Sequence, residues 1–179
     1  MDPVLAAFYS RLGGLRLELD LFIEPCVEQV NGLLLANEDA QRYWPEPFRS
    51  LLVFGGQDAL SYCYATVPGL ADAQGIQPVV EVNPYEDIHA IPIASSVDRF
   101  FDTYARFLDF WYASSGPDTF GDSRPGFPWD VPHIIAGDRP LMAMLVEGRF
   151  DSLLFPPTHG ADAHEELRQW LAKLRAASP

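Results

Sequence analysis

Two histidines near the C-terminal end of this 179-residue chain stand among carboxylates, a combination that can bind a metal ion or move protons. His159 and His164 flank Asp162 in the stretch His-Gly-Ala-Asp-Ala-His-Glu-Glu. Two metal-binding histidines share one helical face when they are four residues apart, whereas these are five apart. Asp162 and Glu165 have the spacing of a helix N-terminus, where carboxylates stabilise the first turn. We therefore predict no metal, no cofactor and no catalytic residue; a hydrolase or metal enzyme using His159, Asp162 and His164 is the alternative.

Other motifs of common enzymes do not occur in the sequence. The glycine pairs at 13–14 and 55–56 lack the Lys-Ser/Thr of a phosphate-binding loop, and there is no Gly-x-Ser-x-Gly. Both pairs are predicted to be turns. Neighbouring carboxylates such as Glu86 and Asp87 are abundant in an acidic chain, so their proximity alone does not indicate a catalytic dyad. We predict a protein that is not an enzyme.

Negative charge is the main compositional feature of the chain. It carries 25 acidic and 12 basic residues, a formal net charge of -13. No segment has the excess of Lys and Arg that binds phosphates, so direct nucleic-acid binding is disfavoured. The negative field accelerates encounter with a basic protein partner. The alternative is that the charge only keeps the protein in solution.

The N-terminus and the cysteines bear on the cellular compartment. Met-Asp-Pro at residues 1–3 is unlike the basic start of a signal peptide, and no stretch approaches the about 18 apolar residues of a membrane span. Cys26 and Cys63 form no Cys-x-x-Cys, which favours free thiols of a reducing compartment over a single disulfide. Lys173 is the only lysine, a bias typical of GC-rich bacterial genomes. We expect a cytoplasmic protein without membrane contact.

Hydrophobic periodicity predicts an α+β fold. Strict alternation over residues 15–21 predicts a strand with one face on a core. Further apolar runs bounded by turns predict strands at residues 48–54, 60–67, 78–82 and 88–93. Together they make a single antiparallel, twisted sheet of about five strands.

Helical spacing of apolar residues predicts the layers that cover this sheet. The expected helices lie at residues 4–12, 97–111, 138–148 and 162–176, the second capped by Ser95 or Ser96. A stretch rich in Gly, Pro, Asp and Ser, residues 116–132, predicts a long loop. We predict one domain, with a core at residues 1–115 and a helical C-terminal extension at residues 116–179 packed on it.

Five blocks of the sequence occur in the same order and spacing as in a known family. They are Phe8-Tyr9-x-x-x-Gly13-Gly14-Leu15-x-Leu17, Leu51-Leu52-Val53-Phe54-Gly55, Tyr62-x-Tyr64, Pro78-Val79-Val80 and Ile93-Ala94-Ser95-Ser96-Val97-x-x-Phe100-Phe101. Over residues 4–112 the chain resembles the SUKH superfamily, which includes fungal cell-wall-assembly regulators and bacterial immunity proteins encoded beside toxins. A Gly-Asp pair that family members often carry is interrupted here by Gln57.

The resemblance implies a non-catalytic domain whose scaffold is shared and whose surface carries specificity. An immunity protein of this type would bind a cognate toxin domain, frequently a nuclease, and block its active surface. A basic nuclease cleft suits an acidic inhibitor. The alternative within the same fold is a housekeeping regulatory scaffold.

Acidic and tyrosine side chains on turns and exposed faces are the candidate partner-binding residues. They are Asp58, Asp72, Tyr62, Tyr64, Glu81, Tyr85, Glu86 and Asp87. The alternative is that the tyrosines complete the core and the acids keep the protein in solution. A second candidate is the loop at residues 120–129, whose aromatics could instead hold the C-terminal helices onto the sheet.

Overall fold

A computed structural model describes residues 1–16, 21–23, 32–57, 61–85, 88–114, 125–156 and 165–178. Within these ranges six strands form one antiparallel sheet in sequence order. The strands are Leu15–Arg16 (β1), Leu21–Ile23 (β2), Leu52–Gln57 (β3), Cys63–Thr66 (β4), Val79–Asn83 (β5) and His89–Ala94 (β6). The helices are Pro3–Arg11 (α1), Leu33–Tyr43 (α2), Val97–Ser114 (α3), Pro132–Ile135 (α4), Arg139–Val146 (α5), Asp151–Leu154 (α6) and Glu165–Ala176 (α7). The α+β fold with a helical C-terminal part is confirmed, with one strand more than expected.

The additional strand arises from the alternating run at residues 15–21, which is not one strand. Leu15 pairs with Ile23 and Arg16 with Phe22, antiparallel, so the two ends of the run belong to β1 and β2. Apolar and polar residues alternate along each strand of a hairpin just as they do along a single strand. The pattern therefore indicated strand conformation but did not locate the reversal of the chain.

The strand predicted at residues 48–54 begins later and ends later. Phe48–Ser50 form a short 3₁₀ helix after Pro47, and Phe48 is completely buried. The strand starts at Leu52 and continues through the glycine pair that was predicted to be a turn. A buried aromatic next to an apolar run resembles a strand in sequence, although here it belongs to the preceding turn.

Gly55 and Gly56 are needed in β3 because neighbouring backbones approach closely. A Cβ on Gly55 would lie 2.5 Å from the carbonyl oxygen of Phe22, and one on Gly56 would lie 2.8 Å from that of Tyr62. Both distances are below ordinary contact, so a side chain would push the adjoining chain away. The pair therefore permits close packing in the sheet, and the prediction of a turn at this site is wrong.

A side chain from α2 continues the sheet where β2 ends. β2 pairs with β3 only over Gly55 to Gln57, which leaves Val53 without a β2 partner. The Asn37 amide donates to the Val53 carbonyl at 2.7 Å, and its carbonyl accepts from the Val53 N–H at 2.9 Å. Asn37 thus satisfies both backbone groups of a buried residue, as burial requires.

The central strands are buried on both faces. Val79, Val80, Glu81 and Val82 are all at most 3% exposed, and successive residues of a strand point to opposite faces. The helix α3 contributes Phe100, whose ring lies 5.0 Å from that of Tyr64 on β4. The sheet therefore has buried side chains on each face, and α3 covers one of these faces.

The C-terminal helices are tied to the sheet through Asp138. Its carboxylate accepts from the N–H of Leu141 at 3.1 Å, which caps α5, and from the N–H of Ser95 at 2.7 Å, next to the end of β6. This confirms the predicted start of a helix at residue 138. The short helices α4 and α6 were not predicted, because four residues are too few for a 3.6-residue period to be recognised.

Ser96 caps α3, and it is one of the two serines that were predicted to do so. Its hydroxyl oxygen accepts from the N–H of Arg99 at 3.1 Å. Although α3 has 18 residues, charged side chains occupy the face opposite its apolar stripe. Among the described helices, none combines the length and the apolar character that crossing a bilayer requires.

Candidate functional site

Two tyrosines form an exposed pair at one end of the sheet. Tyr62 precedes β4 and Tyr85 follows β5, and their ring centroids are 5.9 Å apart in an edge-to-face arrangement. The phenol oxygen of Tyr85 accepts a hydrogen bond from the backbone N–H of Ser61 at 3.4 Å. Tyr85 is 52% exposed, whereas Tyr62 is half-buried. The meander places both residues at this end, because the β3–β4 and β5–β6 connections lie on the same side of the sheet.

An exposed acid, Glu166, lies near this tyrosine pair. Burial raises the pKa of Tyr62, and electrostatic repulsion from Glu81, Tyr85 and Glu166 in their ionised forms raises it further. Hydrogen bonds from the side chain and the backbone of Ser61 lower the pKa of Tyr85. Glu166 is exposed on the first turn of α7, so the C-terminal helix contributes an acid to the same surface. We call Tyr62, Tyr85 and Glu166 the tyrosine patch.

Glu81 lies beneath this surface and is buried, which corrects the expectation that it occupies an exposed face. It stands on β5, between Tyr64 on β4 and Ile91 on β6, and is 3% exposed. Burial raises the pKa of Glu81 to about 8, although hydrogen bonds to Trp129 and Gln57 lower it. The carboxyl group is therefore mostly protonated at neutral pH. Such a group cannot contact a docking partner directly.

Gln57 connects Glu81 to its surroundings. Its amide nitrogen lies 3.1 Å from a carboxyl oxygen of Glu81, 3.3 Å from the Tyr64 hydroxyl and 3.4 Å from the carbonyl oxygen of Phe127. The carbonyl of Phe127 can only accept, which fixes the nitrogen of Gln57 on this side. From the sequence, Gln57 was recognised only as an interruption of a family motif. Because the glycine pair before it was predicted to be a turn, its place at the end of a buried strand was missed.

Tyr64 is also buried, at 1% exposed, and belongs to the core.

The aromatic segment at residues 127–129 helps to hold the C-terminal helices, which is the alternative given for the loop at residues 120–129. Phe127 packs against Tyr104 with ring centroids 5.2 Å apart, and the indole N–H of Trp170 donates to the carbonyl of Pro128 at 3.3 Å. The segment thus connects α7 to α3.

The remaining candidates separate into two groups. Asp72 lies in the β4–β5 connection, at the opposite end of the sheet from the tyrosine patch. Its carboxylate accepts from the N–H groups of Gln74 and Ile76, both at 2.9 Å, and so stabilises its own turn. Asp58, Glu86 and Asp87 lie outside the described residues, within the two connections that carry Tyr62 and Tyr85. Their contact with a partner stays a prediction.

The metal alternative concerns residues that lie outside the described ranges. His159, Asp162 and His164 all belong to them. Within the part of the chain that the structure describes, no three His, Cys, Asp or Glu side chains come close enough to hold a metal ion. The prediction of no metal at His159 and His164 is therefore untested.

Cys26 also lies outside the described ranges, so its state and that of Cys63 stay predictions.

Comparison with protein-family models, with curated proteins and with solved structures finds no match to this chain. The resemblance to the SUKH superfamily accordingly rests on the sequence blocks alone.

Proposed function

We propose that this chain is a non-catalytic protein-binding domain that neutralises a basic toxin domain by covering its active surface. The observation that carries the proposal is the tyrosine patch, in which Tyr62 and Tyr85 pack edge to face at one end of the sheet and Glu166 is near enough to raise the pKa of Tyr62. The overall charge of -13 supports a basic partner. The SUKH-like order of the sequence blocks supports the role in immunity.

The patch has the chemistry of a binding hot spot. A tyrosine provides a large apolar ring with few rotatable bonds and a hydroxyl that can hydrogen-bond, so it loses little entropy on binding. Tyr85 is held in place by Ser61, which reduces that loss further. Glu166 and the net charge of -13 attract the Lys and Arg of a nuclease cleft and accelerate association.

The test co-expresses this chain with any toxin-like domain that is encoded beside its gene, and the two proteins are then purified for affinity measurements. We expect rescue of growth, and a dissociation constant that increases with salt because ions screen the contact. Replacement of Tyr85 by alanine should weaken binding by about tenfold or more, the range of a hot-spot residue. The charge reversal Glu166→Lys should slow association.

The matched controls are Tyr43→Ala and Glu38→Lys, on α2. Tyr43 is 68% exposed and Glu38 is exposed, but neither belongs to the patch. Both controls should bind as the unmodified protein does. Equal loss of affinity in patch and control variants, or none in either, would contradict the assignment of the surface; failure to rescue growth would contradict the role in immunity.

A further inference from the structure

Glu81 is a buried carboxyl group without a counter-ion among the residues that the structure describes. It is 3% exposed, and no Lys, Arg or His of the described ranges forms an ion pair with it. Its two hydrogen-bond partners, the amide nitrogen of Gln57 and the indole N–H of Trp129, can only donate. Such donors stabilise the ionised carboxylate, whereas burial without a counter-ion favours the protonated form. Glu81 therefore keeps its proton only while its surroundings exclude water.

The walls around Glu81 differ in how firmly they are held. On its own face of the sheet Glu81 lies between Tyr64 of β4 and Ile91 of β6. Both pairings belong to antiparallel ladders, so an opening on these sides would break several backbone hydrogen bonds. Trp129, by contrast, is half-buried and lies outside the sheet. Water therefore reaches the carboxyl group most readily where Trp129 covers it.

Trp129 belongs to a turn that is closed by its own hydrogen bonds. The N–H of Asp130 donates to the carbonyl of Gly126 at 3.0 Å, and the N–H of Gly126 donates to the carboxylate of Asp130 at 2.8 Å. We call residues 126–130 the covering turn. The indole N–H of Trp129 attaches this turn to Glu81 on β5.

The covering turn also holds the helix α7. The indole N–H of Trp170 donates to the carbonyl of Pro128 at 3.3 Å, and the rings of Trp129 and Trp170 are 6.1 Å apart, edge to face. Trp170 is 2% exposed, and α7 packs on α4, which follows the covering turn. A displacement of Trp129 would therefore loosen α7 and leave the strand pairing of the sheet intact.

We propose that Glu81 is a proton-operated latch: protonated, it holds Trp129 and α7 closed over the sheet, and on ionisation it releases them. Because burial raises the pKa of Glu81 to about 8, the latch operates near neutral pH. The helix α7 also carries Glu166, so its release removes this acid from the tyrosine patch. The latch goes beyond the protein-binding function and does not depend on it, and its test needs no partner.

Release of α7 should become more frequent as the pH rises. In the open form water reaches Glu81, and its pKa returns towards the ordinary value of 4.5, whereas burial raises it to about 8 in the closed form. Between these values the open form has lost a proton that the closed form keeps. The ratio of open to closed molecules should therefore increase by about tenfold for each pH unit and level off near pH 8.

Other titratable side chains lie on the elements around Glu81. They are Tyr62 and Tyr64 near and on β4, His89 on β6, Tyr104 on α3, Asp130 in the covering turn and Glu166 on α7. The charged side chains of α3 are exposed on the face that points away from the sheet. Glu81→Gln keeps all of these groups and removes only the carboxyl group of the latch. A pH dependence caused by any of them should therefore persist in this variant.

Hydrogen exchange of the α7 amides at several pH values measures the release directly. Their protection, corrected for the intrinsic effect of pH on exchange, should fall by about tenfold for each pH unit between pH 5 and pH 7. In Glu81→Gln it should stay constant. Low concentrations of urea distinguish local release from global unfolding, since release exposes less surface and is less sensitive to urea.

Three results would overturn the proposal. One is α7 protection that does not change with pH in the unmodified protein. Another is an equal fall with pH in Glu81→Gln. The third is exchange of the α7 amides that is as sensitive to urea as global unfolding, because Glu81 would then meet water only in the unfolded chain.

A pair of tryptophan variants tests the latch without changing Glu81. Trp129→Phe keeps a ring in the covering turn but removes the N–H that donates to Glu81, and it should lower α7 protection by about fivefold at pH 6. Trp44, half-buried at the end of α2, is the matched control, and Trp44→Phe should leave α7 protection unchanged. Equal protection of α7 in the two variants would show that Trp129 does not hold this helix, and would overturn the proposal.

Discussion

Replacement of Glu81 by glutamine should stabilise the protein at neutral pH and abolish much of its pH dependence. In the folded chain burial raises the pKa of Glu81 from its ordinary value of 4.5 to about 8. Between these two values the unfolded chain is ionised at this position, whereas the folded chain holds a proton. Folding therefore takes up one proton, and the free energy of unfolding falls as the pH rises.

The magnitude follows from the width of this pH window. One bound proton changes the free energy of unfolding by about 1.4 kcal/mol for each pH unit. At pH 7 the unfolded chain is about 2.5 units above its pKa, which corresponds to an upper limit of about 3 kcal/mol. Glutamine has one acceptor oxygen instead of two, and the loss of one hydrogen bond costs about 1 kcal/mol. We expect a net stabilisation of about 2 kcal/mol at pH 7.

Urea unfolding at several pH values, followed by tryptophan fluorescence and circular dichroism, measures this difference. The two proteins should be nearly equal at pH 5, and the variant should gain on the unmodified protein up to about pH 8, where Glu81 ionises in the folded state as well. Glu38→Gln on the exposed face of α2 is the control and should follow the unmodified protein throughout. Parallel curves for Glu81→Gln and the unmodified protein between pH 5 and pH 8 would refute the reasoning.

Three further substitutions test the contacts that hold the sheet, each by urea unfolding. Asp2→Ala should lower the free energy of unfolding by about 2–4 kcal/mol, because the carboxylate caps α1 and accepts from three backbone N–H groups at 2.7–3.1 Å. Asp2→Asn, which can keep the cap, should lower it by less. Asn37→Ala should cost about 2–4 kcal/mol by leaving both backbone groups of Val53 without partners, and a loss under 1 kcal/mol would contradict this. Gly55→Ala should cost about 1–3 kcal/mol by overpacking, while Gly69→Ala, where no atom lies within 4 Å of the added carbon, should be nearly neutral; equal costs would disprove the steric explanation.

Local sequence patterns predicted those elements whose repeat of apolar residues, or whose bounding turn residues, can be recognised within the element itself. The helix α3 extends over five turns with its aromatic residues at spacings of three and four, and its position was predicted to within three residues. Strands β4 to β6 were bounded by prolines, glycines and asparagine, which mark turns independently of tertiary structure. The reversal between β1 and β2 was not predicted, because it depends on which residues pair across the strands. Alternation of apolar and polar residues does not determine that pairing.

The buried position of Glu81 could not be read from its neighbours in sequence. Val-Val-Glu-Val in a strand is typical of a face that meets water, and an acid is rarely buried. The burial comes instead from the layer that covers this face, including Trp129, which is 48 residues away in the chain and hydrogen-bonds to the carboxyl group. Tyr62 and Tyr85 were easier to place, because connections between strands lie at the surface.

Glu81 lies close to the proposed binding surface without belonging to it. Its carboxyl group is buried and hydrogen-bonded to Gln57, whereas the tyrosine patch presents Tyr85 and Glu166 to solvent. Glu81→Gln should therefore leave the affinity for a protein partner within about twofold at pH 7, where the carboxyl group is mostly protonated already. A loss of affinity as large as that of Tyr85→Ala would indicate that Glu81 helps to form the binding surface, and would contradict a partner contact made through the exposed side chains alone.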